Sequence, residues 1–215
     1  MKKIVLFGAG GLGKEVANMI NEINKWKPTY DLLGFVVEKK YFKHNTYVND
    51  LPILGDEEWL LQNKDVLCCC TIANVYQKAR IQEYFSAQGI KFETIIAVSA
   101  YVAPFSSIGD GCIIYPYVLV SSNVTIDQGV LLNSYVTIGH DVSIGKYSTV
   151  QPATGISGNV KIGEKVSVGG HAFVVPGKKI GDEAVVAAGS IVFSNVKSHT
   201  TVLGNPAKRM RELEE

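Results

Sequence analysis

The chain has 215 residues, with 21 Lys and Arg against 20 Asp and Glu, and 47% of its residues are hydrophobic. That length allows one large domain or two small ones, and the near-zero net charge argues against a protein held on nucleic acid by a general basic field. No apolar run reaches the ~20 residues of a membrane helix, and the start, MKKIVLF, is too short for a signal peptide. We therefore expect a cytoplasmic protein that begins with a buried strand.

The first predicted element is an apolar strand over 2–7, followed at once by a glycine-rich loop. Gly8, Gly10 and Gly13 fit the pattern GxGxxG, and a helical pattern follows. Glycines let the backbone approach a phosphate closely, and a helix N-terminus presents free N–H groups. The loop predicts nucleotide or phosphate binding; the alternative is a tight strand-to-helix turn that binds nothing.

Two further strands complete the predicted α/β half. The second, over 32–37, ends at Glu38, where a Rossmann-type unit places an acid near a ribose hydroxyl. The third, over 65–72, runs into Asn74 and a helix over 75–88. About 95 residues make only half of a dinucleotide fold, which favours a mononucleotide-sized ligand over NAD.

Cys68, Cys69 and Cys70 are adjacent in the third strand, and Cys112 stands alone. Adjacent cysteines do not form an ordinary disulfide framework, and they lack CxxC spacing for zinc. We interpret all four as small buried strand residues, and we expect no metal site and no acyl-enzyme nucleophile.

From residue 96 onward an aliphatic residue recurs at every sixth position without a break. All seventeen positions are Ile, Val or Leu: Ile96, Val102, Ile108, Ile114, Val120, Ile126, Leu132, Ile138, Ile144, Val150, Ile156, Ile162, Val168, Val174, Ile180, Val186 and Val192. The residue two before each is usually small or β-branched, and Lys178 is the clear exception.

A period of six fits neither a helix nor a simple alternating strand, because six steps of 100° drift round a helix. A short strand plus a turn does fit. Three such units make a triangular coil of eighteen residues, and stacked coils bury the aliphatic ladder. We therefore predict a triangular prism of about five coils whose apolar flanks favour a closed, three-fold oligomer.

This second half resembles the hexapeptide-repeat, left-handed parallel β-helix, and the whole chain closely resembles one acyltransferase family. That family contains the nucleotide-amino-sugar N-acetyltransferases of the PglD type and the sialic acid O-acetyltransferases of the NeuD type. The resemblance runs through FGAGGLGKEV, NSYVTIGHDVSIGKYS, ISGNVKIG and VLGNPAKRM. It implies a Rossmann-like domain over 1–95, a β-helix over 96–198 and a tail over 199–215. It also implies a homotrimer that uses acetyl-CoA, with active sites between neighbouring prisms and the acceptor held by the N-terminal domain.

Acetyl transfer to an amine or hydroxyl needs a base that is neutral near pH 7, which suits histidine. His140 follows Ile138-Gly139 and should project from its coil, with Asp141 beside it; the residues alone favour a surface histidine at a coil corner over a base. The resemblance implies that His140 is the base and Asp141 its partner, although the family often has Glu at that position.

The resemblance also assigns residues to the two substrates. Gly158 matches a glycine whose amide meets the acetyl carbonyl, and a glycine needed only for the turn is the alternative. The matches to the coenzyme A groove are Gly170, His171, Ala188 and Gly189. Lys208, near the C-terminus, would pair with coenzyme A phosphates unless this segment merely caps a helix after the last coil. For the acceptor, the candidates are Gly8, Gly10, Gly13, Glu38, Lys39 and Asn74.

The leading interpretation is an acetyl-CoA-dependent N-acetyltransferase acting on a nucleotide-linked amino sugar. Sialic acid O-acetylation is the alternative on the same fold, and a nucleotide-sensing module without activity is a third. A γ-type carbonic anhydrase would need three zinc-binding histidines, whereas the coils contain only His140 and His171.

Overall fold

The computed structural model of the chain describes residues 1–210. The chain divides into two compact units, Met1–Val98 and a second unit from Ser99 onward. The last five residues of the expected tail, 211–215, lie outside the described residues.

The N-terminal unit is a five-stranded α/β sheet with the order β3-β4-β2-β1-β5, in which β3 alone is antiparallel to its neighbour. Its strands are β1 (Lys2–Phe7), β2 (Tyr30–Val36), β3 (Tyr47–Val48), β4 (Leu51–Gly55) and β5 (Leu67–Cys70), and a short β6 (Ile95–Ile96) ends the unit. Its helices are α1 (Gly11–Trp26), α2 (Glu57–Gln62) and α3 (Val75–Ala87), with a 3-10 turn at Lys39–Tyr41.

The sequence predicts β1, β2, β5, α1 and α3 with small shifts at their ends, but it does not predict the β3–β4 hairpin or α2. These missed elements are short, and their side chains alternate poorly: Leu51–Gly55 is only partly buried except at Gly55. Contacts with β2 hold β4 in the sheet, so tertiary pairing decides this region more than local pattern does.

Apolar residues pack on both faces of this sheet. Phe7, Val36, Leu60, Ile81 and Phe85 belong to one buried cluster that joins β1 and β2 to α2 and α3. The helix α1 buries Val16 and Ile20, as the apolar spacing of an amphipathic helix requires. Rigid packing of this kind fixes the carboxyl ends of β1 and β2, where ligands of open α/β sheets usually bind.

The second unit is the left-handed parallel β-helix that the six-residue period predicts. Each strand has two residues and its register partner lies eighteen residues further on, as in Leu119 with Thr137 and Val120 with Ile138. The strands are β7 (Tyr101–Val102), β8 (Ser107–Ile108), β9 (Ile113–Ile114), β10 (Leu119–Val120), β11 (Thr125–Ile126), β12 (Leu131–Leu132), β13 (Thr137–Ile138), β14 (Ser143–Ile144), β15 (Thr149–Val150), β16 (Gly155–Ile156), β17 (Lys161–Ile162), β18 (Ser167–Val168), β19 (Phe173–Val174), β20 (Lys179–Ile180), β21 (Val185–Val186) and β22 (Ile191–Val192).

These strands form three parallel sheets, which are the three faces of a prism. Face I contains β7, β10, β13, β16, β19 and β22; face II contains β8, β11, β14, β17 and β20; face III contains β9, β12, β15, β18 and β21. The segment expected to be a tail adds β23 (Thr201–Leu203) and β24 (Lys208–Arg209) to face III. β23 is parallel to β21, and β24 pairs with β23 in an antiparallel hairpin.

The aliphatic ladder fills the prism. Every sixth residue from Ile114 to Val192 is buried, with at most 4% of its surface exposed, whereas Val102 and Ile108 of the first coil are only partly buried. β7 and β8 are the terminal strands of faces I and II, so no earlier strand of those faces covers Val102 and Ile108. Cys112 is buried at an inward small-residue position, as predicted.

Candidate active site

His140 and Asp141 form the turn that follows β13, on the edge of the prism between faces I and II. We call this edge the His140 edge; its turns are residues 104–105, 122–123, 140–141, 158–159 and 176–177. The His140 side chain is 61% exposed, so it projects from its coil as predicted. The turn forms because Asp141 adopts the left-handed conformation (φ 59°), which Asp tolerates better than most residues.

The imidazole of His140 is held by its neighbour. Its Nδ1 lies 2.7 Å from Oδ2 of Asp141. The hydrogen bond from His140 is the main cause that lowers the pKa of Asp141, and an ionised carboxylate only accepts. Nδ1 therefore carries the proton in the neutral ring, and Nε2 is left as the acceptor.

Gly158 lies one coil above His140, in register with it. A Cβ atom on Gly158 would lie 2.6 Å from Nε2 and 2.7 Å from Cε1 of the His140 ring. Only glycine therefore leaves this ring where it is. The Gly158 N–H makes no hydrogen bond to another described residue, while its carbonyl accepts from Gly177. A basic nitrogen and a backbone donor thus lie side by side.

The sequence did not single out Asn123, which lies one coil below Asp141. Its Nδ2 lies 3.3 Å from Oδ1 of Asp141, the carboxylate oxygen that His140 does not use. The eighteen-residue coil was the signal that could have found it, because residues 123, 141 and 159 stack in register.

The residues matched to the coenzyme A groove lie together on another edge. Gly170, His171, Ala188 and Gly189 occupy two successive turns between faces III and I. We call this the His171 edge; its turns are residues 116–117, 134–135, 152–153, 170–171 and 188–189. A Cβ atom on Gly189 would meet nothing within 4 Å, so this edge is open. One chain therefore gathers these four residues but separates them from His140 by the width of face I.

Lys208 lies in the β23–β24 hairpin opposite Leu203 and is exposed. A cleft of about 290 Å³ beside the hairpin is lined by its neighbour Arg209 and by Lys197, but Lys208 is not among its lining residues. The expected phosphate contact of Lys208 stays a prediction. The described part of this segment is a strand, so the start of a helix does not explain Lys208.

The glycine loop of the N-terminal unit is built for close packing. Gly8 has φ 116°, a value that favours glycine, and a Cβ on Gly13 would collide with the Gly8 carbonyl oxygen. Gly10 precedes α1 and no side chain caps the helix there. The structure thus brings Gly8, Gly10 and Gly13 together at an uncapped helix N-terminus, a geometry suited to an anion.

Glu38 and Lys39 line a cleft of about 530 Å³ in the same unit. Its lining residues are Phe7, Glu38, Lys39, Glu57, Glu58, Arg80, Ile81, Tyr84 and Phe85. The loop glycines and Asn74 are not among them, so the predicted acceptor residues fall into two groups. Asn74 caps α3, and its Oδ1 accepts from the N–H groups of Tyr76 and Gln77.

Glu38 carries the strongest polar contacts of this cleft. Its Oε1 accepts from Arg80 at 2.5 Å, and its Oε2 lies 3.2 Å from Lys40. Partial burial raises the pKa of Glu38, but the hydrogen bonds from Arg80 and Lys40 outweigh it, and the net pKa is lowered. Lys39 bonds Glu57 through its backbone and Glu58 through its side chain. No local motif predicted that Arg80 is part of this cleft, because its partner Glu38 lies forty-two residues earlier in the sequence.

The four cysteines are buried, and none of them forms a disulfide bond within residues 1–210. Burial raises the pKa of the Cys70 thiol to about 12, so its reactive thiolate is scarce at neutral pH.

Within residues 1–210, no three His, Cys, Asp or Glu side chains come together as a metal site. No helix in the described part of the chain is long and apolar enough to cross a membrane.

Comparison with known proteins agrees with this architecture. The family model of the PglD N-terminal domain matches residues 3–85. The acetyltransferase domain of PglB from Neisseria gonorrhoeae is 27% identical, with a TM-score of 0.87, over 98% of this chain and 100% of that chain. A second structure of that domain contains acetyl coenzyme A. The N-terminal unit thus matches the PglD N-terminal domain family, and the chain as a whole is similar to the PglB acetyltransferase domain. It is an acyltransferase, and the related PglB domain binds acetyl coenzyme A.

Two solved structures of lower sequence identity share this fold. PerB from Caulobacter crescentus, solved with CoA and GDP-perosamine, is 22% identical with a TM-score of 0.89 over 98% of each chain. WeeI from Acinetobacter baumannii is 23% identical with a TM-score of 0.80, over 98% of this chain and 100% of that chain. Serine acetyltransferase 2 from Arabidopsis thaliana is 58% identical over 36 residues, which are 17% of this chain and 11% of the plant protein.

Proposed function

We propose that this acetyltransferase acts on the amino group of a nucleotide-linked amino sugar, with His140 as the general base. The observation that carries the proposal is the 2.7 Å contact between His140 Nδ1 and Asp141, which leaves Nε2 unprotonated beside Gly158. A neutral imidazole with a fixed acceptor nitrogen is what deprotonation of an attacking amine requires.

In this mechanism the amine nitrogen attacks the thioester carbonyl carbon of acetyl-CoA. His140 Nε2 takes a proton from that nitrogen, and Asp141 stabilises the resulting imidazolium. The Gly158 N–H donates to the oxygen on which negative charge develops. The C–S bond then breaks, the amide forms, and the coenzyme A sulfur leaves with the proton that His140 returns. Direct attack needs no acyl-enzyme, in agreement with the buried cysteines.

The nucleotide of the acceptor is assigned to the N-terminal unit. The uncapped start of α1 suits a phosphate. The 530 Å³ cleft combines an apolar floor, including Phe7 and Phe85, with a rim of charged groups at Glu38, Lys39 and Arg80. Such a mixture is typical of a site for a base and ribose.

We further propose a homotrimer with active sites between subunits. The His171 edge and the His140 edge lie on opposite borders of face I, so a neighbouring prism that presents its His171 edge would complete the site. A cytoplasmic location is proposed as well, because four cysteines without disulfide bonds suit a reducing compartment. Sedimentation should give a mass of three chains.

The test is acetyl transfer from acetyl-CoA to a panel of acceptors by the wild-type protein. The panel contains GDP-perosamine, UDP- and dTDP-4-amino-4,6-dideoxy sugars, and sialic acid with its CMP derivative. Product formation on an amino sugar supports the proposal. Acetylation of sialic acid alone would establish the O-acetyltransferase, and no transfer to any amino sugar of the panel would contradict the proposed acceptor class.

His140→Asn tests the base. We expect kcat to fall by about 10²–10⁴-fold, with the fold retained because the side chain is outside the ladder. The matched control is His199→Asn, since His199 also lies in a turn of the prism, exposed and 3.3 Å from a carboxylate of Glu183. An unchanged rate in His140→Asn would remove this histidine from the mechanism.

A further inference from the structure

The carboxylate of Asp141 is held from two sides. One oxygen faces His140 Nδ1 at 2.7 Å, and the other faces Asn123 Nδ2 at 3.3 Å. Asp141 is exposed at 47% of its side chain, and these two contacts restrain its rotation into solvent. The amide of Asn123 therefore adds the second point that defines the plane of the carboxylate.

We propose that Asn123 is a positioning residue for the transferase reaction: it fixes the Asp141 carboxylate, which in turn orients the His140 ring. This inference rests on the proposed role of His140. The contacts from Asn123 to Asp141 and from Asp141 to His140 span two coils of the prism. They do so because residue 123 and residue 141 are in register at the eighteen-residue spacing.

The backbone offers a simpler reason for an asparagine here. Asn123, Asp141 and Asn159 all have φ near 60° (60°, 59° and 60°), and Asn and Asp are enriched in this left-handed conformation. A purely conformational role and a positioning role make different predictions for Asn123→Gly. Glycine accepts the same φ but removes the amide. The substitution thus separates the two roles without straining the turn.

Few titratable groups lie at this edge to affect the titration of His140. His140 and Asp141 are the titratable residues among its described turns; the other turn residues are Pro104, Phe105, Ser122, Asn123, Gly158, Asn159, Pro176 and Gly177. Of these, Asn123 and Gly158 make the contacts described above with the His140–Asp141 pair. A change in the titration of the imidazole can therefore be traced to the substituted position.

The experiment compares Asn123→Gly with Asn159→Gly, its counterpart two coils along the same edge. The first readout is the ring resonances of isotope-labelled His140 across pH, in the full-length protein without substrates. For Asn123→Gly we expect a mixture of ring tautomers and an altered titration midpoint; for Asn159→Gly we expect the wild-type pattern. A wild-type His140 spectrum in Asn123→Gly would overturn the proposal.

The second readout is kinetic, with whichever amino-sugar acceptor of the panel the wild-type protein acetylates. We expect Asn123→Gly to lower kcat by about five- to tenfold, as for loss of a hydrogen bond to a charged group, with the KM for acetyl-CoA within twofold of wild type. An equal loss in Asn159→Gly would mean that the turn, and not the amide, matters.

Asn123→Asp is the second variant, and it decides the matter if Asn123→Gly does not fold. Asp also tolerates the left-handed turn, but it places a second carboxylate beside Asp141. This carboxylate cannot donate to Asp141 and repels it, so the neutral His140 ring should show a mixture of tautomers; the wild-type tautomer pattern would overturn the proposal. Because the resonance measurement needs no acceptor, it stands even if His140→Asn proves active and the proposed function fails.

Discussion

The two units of this chain build their candidate sites by different means. In the prism, the groups at the His140 edge come from positions eighteen residues apart, so Asn123 meets Asp141 and His140 meets Gly158 because the coils repeat. In the N-terminal unit, Glu38 meets Arg80 across forty-two residues, because α3 packs on the sheet that contains β2. A repeat makes a site predictable from spacing, whereas an α/β sheet assembles one from elements whose distance apart in the sequence carries no information.

The first prediction concerns the ladder that supports the prism. Ile138→Ala should lower stability by about 3 kcal/mol and lower Tm by about 6–12 °C, because Ile138 is fully buried between two coils. Ile108→Ala is the control, since Ile108 is only partly buried in the first coil and should cost about half as much or less. Thermal unfolding at one protein concentration measures both. Equal losses would mean that stacking does not explain the stability of the prism.

The second prediction tests how closely the coils set the site. Gly158→Ala places a methyl group where the His140 ring lies, so we expect kcat to fall about 30- to 100-fold as the ring is displaced. Gly177→Asn is the control, one coil further along the same edge, where a Cβ meets nothing within 4 Å and Asn accepts the left-handed φ of 72°. Steady-state kinetics measure both variants. Full activity in Gly158→Ala would contradict the register that brings Gly158 against His140.

The third prediction moves to the N-terminal unit. Arg80→Ala should raise the KM for the nucleotide-linked acceptor by about tenfold, with the KM for acetyl-CoA unchanged, because it removes a charged wall of the cleft and releases Glu38. Lys25→Ala, which breaks an exposed pair with Glu22 on α1, is the matched control. If both constants rose together, the cleft would not be a separate acceptor site.

The fourth and smallest effect is the pH dependence of the Glu38 pair. The pKa of folded Glu38 is lowered below its usual value, so its stabilising contribution is complete above the unfolded pKa and is lost as pH falls through the folded pKa. Stability should therefore decrease below about pH 4.5, by no more than about 1 kcal/mol from this group.

Glu38→Gln should remove that part of the pH dependence of stability. Near pH 7 the stability of the variant should change little with pH, as in wild type. Thermal scans between pH 3 and pH 7 make the comparison with wild type. An identical acid dependence in the two proteins would show that Arg80 and Lys40 do not hold the carboxylate as the contacts indicate.

By itself, the sequence determined the prism almost completely. Seventeen aliphatic residues at a strict period of six leave one way to bury them, and the period places His140 and Asp141 outside the ladder and Gly158 directly above. The order of the α/β elements around the Gly8–Gly13 loop was also readable, because glycine spacing and apolar strands are local signals.

Only the tertiary structure decided the rest. It placed β4 beside β2, divided the predicted acceptor residues between the glycine loop and the Glu38 cleft, used Asn74 as a helix cap, and brought Arg80 to Glu38. It also put the His171 edge apart from the His140 edge within one chain. Local patterns fix the conformation of a segment through backbone preference and burial, but which segments meet depends on packing between distant parts of the chain, and that packing leaves no periodic trace in the sequence.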